Sequence, residues 1–484
     1  MKFLKNLFLL NFITAILILQ SCSDSSSDPV GDDIQKDFES EELAKLFVEN
    51  CATELCHSGT NPQQNLSLES HSRLIEGSFD RNSNGVQKIG GEVVIPFYPE
   101  KSILYKMITG ESQPRMPYNL PALTNENIEL VRNWIASGAK NKNGEIPFSR
   151  IPSHRVYICN QGSDFVSVVD GDAKVVSRLI NVDQIDEVDS PHMVQESGDY
   201  FYVTLITTGK LLKISKSTLS IVGEIAGIEK AGMIKITSDG TKAYVSRSST
   251  SPSVYSTVYY VDLNSMSILK EIDLVVTGVP HGIALTPDGS KLYAANLTKN
   301  VISIVNTATN ETESFINFAE NIEPMQTEIS PDGKYLFVAA RGTSELIIID
   351  AAADTVTQRV EVKPMPMHIS VNSTSDKIYL TSMGANVLMV IEKIGNQWIL
   401  TNEISHPAFS QLHGCDITSD DKYVYVSGRN TNGKHVSSRQ TPGSNPPGIL
   451  GVINAETNKV IKVLEIEHYA AGLTIDENPK LLEN

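Results

Sequence analysis

From about residue 155 to its end, the chain alternates short apolar runs with tight polar turns. One unit reads Ile283-Ala284-Leu285, then Thr286-Pro287-Asp288-Gly289, then Leu292-Tyr293-Ala294-Ala295, then Val301-Ile302-Ser303-Ile304-Val305. Runs this short, apolar throughout or at every second residue, predict buried strands; proline and glycine set the backbone angles of the turn between them. Related turns recur at Thr237-Ser238-Asp239-Gly240, Ser330-Pro331-Asp332-Gly333 and Thr418-Ser419-Asp420-Asp421. Aligning Tyr244, Tyr293, Phe337, Tyr379 and Tyr425 gives a period of roughly 42 to 49 residues, the length of one four-stranded propeller blade. Inner strands are expected near His192, Gly232, His281, Met325, Met367, His413 and Ala471, one for each of seven blades. The first run, residues 155–182, has no inner strand before it, and the last inner strand begins close to the C-terminus. The C-terminal strand is therefore expected to complete the first blade, closing the ring and removing two exposed edges.

The N-terminal part follows a different period. Ile128, Val131 and Ile135 recur at helical spacing with Trp134 flanking the stripe. Thr124 suits the N-cap, Glu126 the positive end of the helix and Gly138 its C-terminal side. Such a face can pack on a flat apolar partner such as a porphyrin, or on an ordinary helical core. A polar stretch, Lys140-Asn141-Lys142-Asn143-Gly144-Glu145, reads as a linker between the two periods. At the start, Lys2 and Lys5 precede an apolar run from Leu7 to Leu19 that is too short for an ordinary membrane span and reads as an export signal. The expected organisation is a signal segment over 1–22, a polar tether over 23–32, a small all-α domain over 33–140, a linker over 141–152 and an all-β propeller over 153–484.

Composition adds limits. The chain has 484 residues, 40% of them hydrophobic, enough for two sizeable cores, and a formal charge of −17. That charge disfavours nucleic acid as a partner and favours a basic redox protein, within roughly a Debye length of about 8 Å at physiological salt. Five cysteines in an exported chain of this length do not make a disulfide scaffold. Cys159 and Cys415 fall in strand segments and read as small buried hydrophobes, with a mutual disulfide as the alternative.

The candidate chemistry begins at Cys51-Ala-Thr-Glu-Leu-Cys56-His57, followed about sixty residues later by Arg115-Met116-Pro117. Two thiols can attach a haem through its vinyl groups, His57 can bind iron on one face and Met116 on the other. Met107 is a second thioether, in a packing context. Four residues separate the cysteines where the usual haem motif has two, and a small Cys51–Cys56 disulfide loop is the competing reading. Residues 33–140 resemble the small cytochrome c domains of exported bacterial proteins. The resemblance rests on that segment, on Pro99-Glu100-Lys101-Ser102-Ile103-Leu104-Tyr105, on Arg115-Met116-Pro117 and on Trp134-Ile135-Ala136-Ser137-Gly138-Ala139. It implies one covalent haem c held by Cys51 and Cys56, with His57 and Met116 as axial ligands, and electron transfer as the function. Leu19-Gln20-Ser21-Cys22 resembles the lipobox of bacterial lipoproteins, which implies a lipid on Cys22, a membrane anchor and a periplasmic or cell-surface location, the outer membrane favoured by Ser23.

Val156-Tyr157-Ile158-Cys159-Asn160 and Leu292-Tyr293-Ala294-Ala295-Asn296 resemble the YVTN repeats of bacterial seven-bladed propellers. A cytochrome c domain joined to such a propeller is also similar to periplasmic nitrite reductases, and the propeller to that of nitrous oxide reductases. The residues that would carry either catalysis are missing: there is no further cytochrome segment, no copper-binding tail, and four histidines fall short of a histidine-rich copper cluster. His192, His281 and His413 do occupy equivalent inner-strand starts, and His368 lies one residue beyond its equivalent. They form a candidate metal site at one mouth of the central channel, and Arg247, Arg341 and Arg429, each following a second strand, form a candidate anion site on the same face. Long interruptions at 246–257 and 428–448 are expected to overhang that mouth. The leading expectation is a lipid-anchored electron carrier whose propeller docks a redox partner or presents a second site. The alternatives are an oxidoreductase centred on the His/Arg mouth and a nonredox scaffold.

Overall fold

The computed structural model of the chain describes residues 37–53, 55–79, 88–248, 255–437 and 443–483. The export signal, the Cys22 lipobox and the tether lie outside the described residues, as do parts of both long interruptions.

Among the described residues, four α-helices belong to the N-terminal domain: α1 (Glu41–Asn50), α2 (His71–Ile75), α3 (Ile103–Thr109) and α4 (Asn125–Ala136). The cap expected at Thr124 is present, its Oγ1 accepting from the Asn127 N–H, and Gly138 takes the left-handed φ of 108° after the helix. Ser40 caps α1 in the same way. Trp134 differs from expectation. It does not flank the apolar stripe but sits within the domain core, 6.0 Å from the Phe47 ring and 6.0 Å from His71, its Nε1–H donated to the Lys140 carbonyl. Val131 and Ile135 are buried beside it and Ile128 lies at the margin, so this face of α4 covers the domain's own core.

The domain is not purely helical. Ser78–Phe79 and Lys88–Gly91 pair as a short hairpin, and Lys88–Gly91 runs parallel to Lys459–Ile466, the outer strand of the seventh blade, so this sheet has six strands. Backbone hydrogen bonds thus fasten the domain to an edge that would otherwise be open. Ile95 enters the propeller core, Lys101 pairs with Glu467 at 2.8 Å, and Tyr98 packs edge-on against Phe165. The expected linker is not a free tether either: Asn141 bridges to Phe38, and Arg178 donates to the Pro147 carbonyl at 2.9 Å.

The remaining sheets confirm the seven-bladed propeller. The inner strands are Pro191–Ser197, Ala231–Ile236, Pro280–Leu285, Pro324–Ile329, Pro366–Val371, Leu412–Ile417 and Ala470–Asp476, each followed in its sheet by antiparallel neighbours. As the sequence predicts, Ala470–Asp476 pairs with Arg155–Asn160, so the C-terminus supplies the inner strand of the first blade. Cys159 and Cys415 are buried free thiols. The recurrent tyrosines clasp adjacent blades. Tyr244 Oη bonds Asn310, Tyr293 Oη bonds Asp354 at 2.6 Å, and Tyr379 Oη reaches the Ala455 carbonyl, each in the strand turn of the next blade.

The closing strand has its own fastening. Lys216, wholly buried in the second blade, holds Asp476 at 2.7 Å and Glu196 at 2.6 Å, while Tyr157 Oη donates to the other Asp476 oxygen. Removing one partner of a buried pair leaves the other charge without compensation. Lys216→Met is expected to destabilise the propeller by about 3–5 kcal/mol, seen as a lower midpoint in urea denaturation.

Candidate functional site

The Cys/His segment forms directly after α1. Cys51 caps that helix with its N–H on the Phe47 carbonyl; Cys56 N–H then bonds Thr53 and His57 N–H bonds back to the Cys51 carbonyl at 3.2 Å. The loop thus returns on itself and gathers Cys51, Cys56 and His57. Both thiols are unbridged, and burial, helped by the charge Cys56 would carry, pushes the Cys51 thiol up to about 12. Nδ1 of His57 lies 3.2 Å from the Leu66 carbonyl oxygen, which places the proton on Nδ1 and the lone pair on Nε2. Burial lowers this imidazole's pKa, favouring the neutral form that a metal requires.

Met116 is half-buried against the apolar cluster that includes Cys51, and its N–H bonds Met107. Beside it, Arg115 donates through Nη2 to the Leu120 carbonyl at 2.8 Å, while its buried Nη1 has no partner. A buried unpaired donor costs about 1–3 kcal/mol, more on a charged group, so Arg115 is set up for an anionic acceptor. Two thiols able to form thioethers, an imidazole with an oriented lone pair, a thioether and an unsatisfied guanidinium are the kinds of group that could hold a c-type haem. The Arg-Met-Pro motif drew attention to Met116; the part available to Arg115 emerges only from its unpaired nitrogen.

At the propeller, each of the seven inner strands begins with a break in pairing register. Six are preceded by a non-glycine residue in the left-handed region: Ser190, Lys230, Glu323, Met365, Gln411 and Tyr469. A bulge re-aims the side chains that follow it, and here they turn toward the channel. His192, His281, His368 and His413 converge, all 4% exposed or less, with ring centroids 5.6 Å apart for 192 and 281, 6.2 Å for 192 and 413, and 4.6 Å for 368 and 413. Burial, reinforced by the Arg429 charge, depresses every one of them, His281 to about 4 and His368 to about 3. His281 donates Nδ1–H to the Met325 carbonyl at 2.8 Å, and His192 makes only long contacts to Gln161 and Ser248. His368 Nε2 and both nitrogens of His413 are buried without partners. Among the described residues, no three His, Cys, Asp or Glu side chains have the mutual geometry of a metal site.

The three arginines part company. Arg247 is held by Glu229, Glu271 and Thr257, and Arg341 by Glu323 at 3.0 Å. Arg429 instead stacks on Tyr469, its Cζ 4.4 Å from the ring centroid, with Nε buried and unpaired. Tyr469 and Gln161 carried no signal in the sequence as parts of this mouth.

None of the curated proteins matches the chain in sequence. A family profile described as YNCE-like beta-propeller matches residues 240–447. Among solved structures the chain is similar to a functionally unknown protein from Desulfotomaculum acetoxidans, at 15% identity and a TM-score of 0.52, over 67% of this chain and 99% of that one. It is similar also to the periplasmic gluconolactonase PpgL of Pseudomonas aeruginosa, at 12% identity and a TM-score of 0.51, again over 67% and 99%. Kuenenia stuttgartiensis hydrazine synthase aligns at 20% identity with a TM-score of 0.46, over 57% of this chain and 79% of that one. At such identities the likeness is one of fold. The chain carries a seven-bladed propeller similar, over its central blades, to the YNCE-like propellers.

Proposed function

We propose that the protein is an exported, lipid-anchored monohaem cytochrome c that passes single electrons, with the propeller as the body that docks a redox partner. The observation that carries this reading is the Cys51–Cys56–His57 loop, with unbridged thiols and the His57 proton committed to Leu66. Cys51 and Cys56 would hold the haem, His57 and Met116 would be its axial ligands, and Arg115 would take a propionate. Bound there, the haem would supply one-electron redox chemistry; a His/Met pair favours a higher potential than two histidines. The chain's own residues keep His57 neutral, hold its ring through Leu66 and exclude water with the cluster around Cys51 and Met116.

Two segments flanking these ligands expose large apolar side chains: Leu55 between the cysteines, 85% exposed, and Tyr118 and Leu120 just after Met116, 61% and 52% exposed. An apolar rim at the electron's point of entry, on a chain of formal charge −17, suits a transient partner with a basic surface. Cys22 would carry the lipid, placing the protein at a periplasmic or cell-surface membrane face, with the outer membrane favoured.

Expression in a host that attaches c-type haem is expected to give one covalent haem per chain by absorption spectroscopy, and Cys51→Ser/Cys56→Ser none. Full covalent haem in that double variant would refute the assignment, and no haem in the parent protein would favour a nonredox scaffold. Arg115→Leu is expected to lower the reduction potential, because it removes a positive charge that favours the reduced state. The shift is on the order of 30 mV, half of the about 59 mV that a tenfold change represents for one electron, measured by spectroelectrochemical titration. Cys22→Ser is expected to move the protein from the membrane fraction to the soluble fraction, read by immunoblot.

A further inference from the structure

We propose that the propeller mouth binds a small, singly charged oxyanion between the Arg429 guanidinium and the imidazoles of His192, His281, His368 and His413. Inner strands of successive blades run in one direction around the channel, so their first residues share one end. Second strands run back, which brings Arg429 to that same end. The cluster is built but unsatisfied: His368 Nε2, His413 Nδ1, His413 Nε2 and Arg429 Nε are buried and unpaired. Buried polar groups in folded proteins are nearly always paired, so the Arg429 Nε–H and the N–H that each neutral imidazole carries mark a place for a ligand with acceptor oxygens.

Charge selects a monoanion. Arg247 is neutralised by Glu229 and Glu271, Arg341 by Glu323, and Lys235 by Glu328 at 2.7 Å. Farther down the channel strand, Asp416 is engaged by Ser370 and the Ile475 N–H; burial raises its carboxyl to about 6, so its protonation at the lower pH also favours an anion. Among the described residues, Arg429 is the cation that bears on all four imidazoles and has no carboxylate partner. Among the described residues no three His, Cys, Asp or Glu side chains are placed to hold a metal ion. An oxyanion accepts hydrogen bonds at about 2.8 Å on separate oxygens, so the donors need not share one coordination point. The uncompensated guanidinium opposes a dication and attracts an anion.

Binding is coupled to protons. His281 has already given Nδ1–H to Met325, so its Nε2 can donate to an anion only after taking up a proton. Burial, with the Arg429 charge added to it, holds the empty cluster neutral. A bound anion favours the protonated form, so affinity rises as pH falls, by up to about tenfold per pH unit for each proton taken up.

The test is titration calorimetry on the full haem-loaded protein, with nitrate and formate as planar monoanion probes and sulfate as a dianion, at about pH 7.5 and about pH 6. The expected result is one site, tighter at the lower pH, with sulfate the weakest probe. Arg429→Gln is expected to weaken binding by about tenfold or more, and Arg429→Lys by less, since the charge is kept. Arg341→Gln, whose guanidinium is occupied by Glu323, is expected to bind within about twofold of the parent. The urea denaturation midpoint of each variant checks that the propeller is folded and does not depend on whether the protein carries haem. Absence of binding by every probe, parent-like binding in a folded Arg429→Gln variant, or a stoichiometric metal at the cluster would each overturn the proposal.

Discussion

Everything in the propeller depends on closing the ring. Each blade buries its faces against two neighbours, so a gap between first and last would expose two faces and two strand edges at once. The chain closes it with Ala470–Asp476 hydrogen-bonded to Arg155–Asn160, strands some three hundred residues apart in sequence. The fully buried Lys216 ties Asp476 to the second blade. Backbone pairing sets the register of the seam, and the buried ion pair connects it to the next blade.

The same closure makes a site possible. Histidines from four different blades can meet only when all inner strands run the same way around a common axis. The repeated bulge and the left-handed residues leading into six of those strands then turn the side chains inward. Burial does the rest: away from water the imidazoles stay neutral, and Arg429, which has no carboxylate partner among the described residues, bears on all four of them. The Cys51–Cys56–His57 loop is built differently, by local chain geometry at the end of one helix.

The two parts are joined by more than a linker. A strand of the N-terminal domain adds to the seventh blade, Ile95 enters the propeller core, and Lys101 pairs with Glu467. An edge that would be open to another chain is covered from within the same molecule. The helices expected in the N-terminal part are present, and two short strands that the helical period does not predict dock it on the propeller. The hairpin strands are two and four residues long, too short to give a period, and their pairing partner lies far along the sequence.

What the sequence determined was whatever has a local cause: the Pro-Asp-Gly turns, the strand period, the Thr124 cap, the Cys51–His57 segment and, by counting inner strands, the closure by the C-terminus. It also aligned the four histidines, because a repeat makes equivalent positions legible. What only the tertiary structure decided was which polar groups find partners. Arg247, Arg341 and Arg429 look alike in sequence, yet carboxylates from their own blades neutralise the first two, while the third is stacked on Tyr469. Arg115 and Trp134 are of the same kind, one left with a bare nitrogen and the other drawn into the core. Pairing and burial depend on distances between segments remote in sequence, and those distances exist only once the ring is closed and the domain is docked.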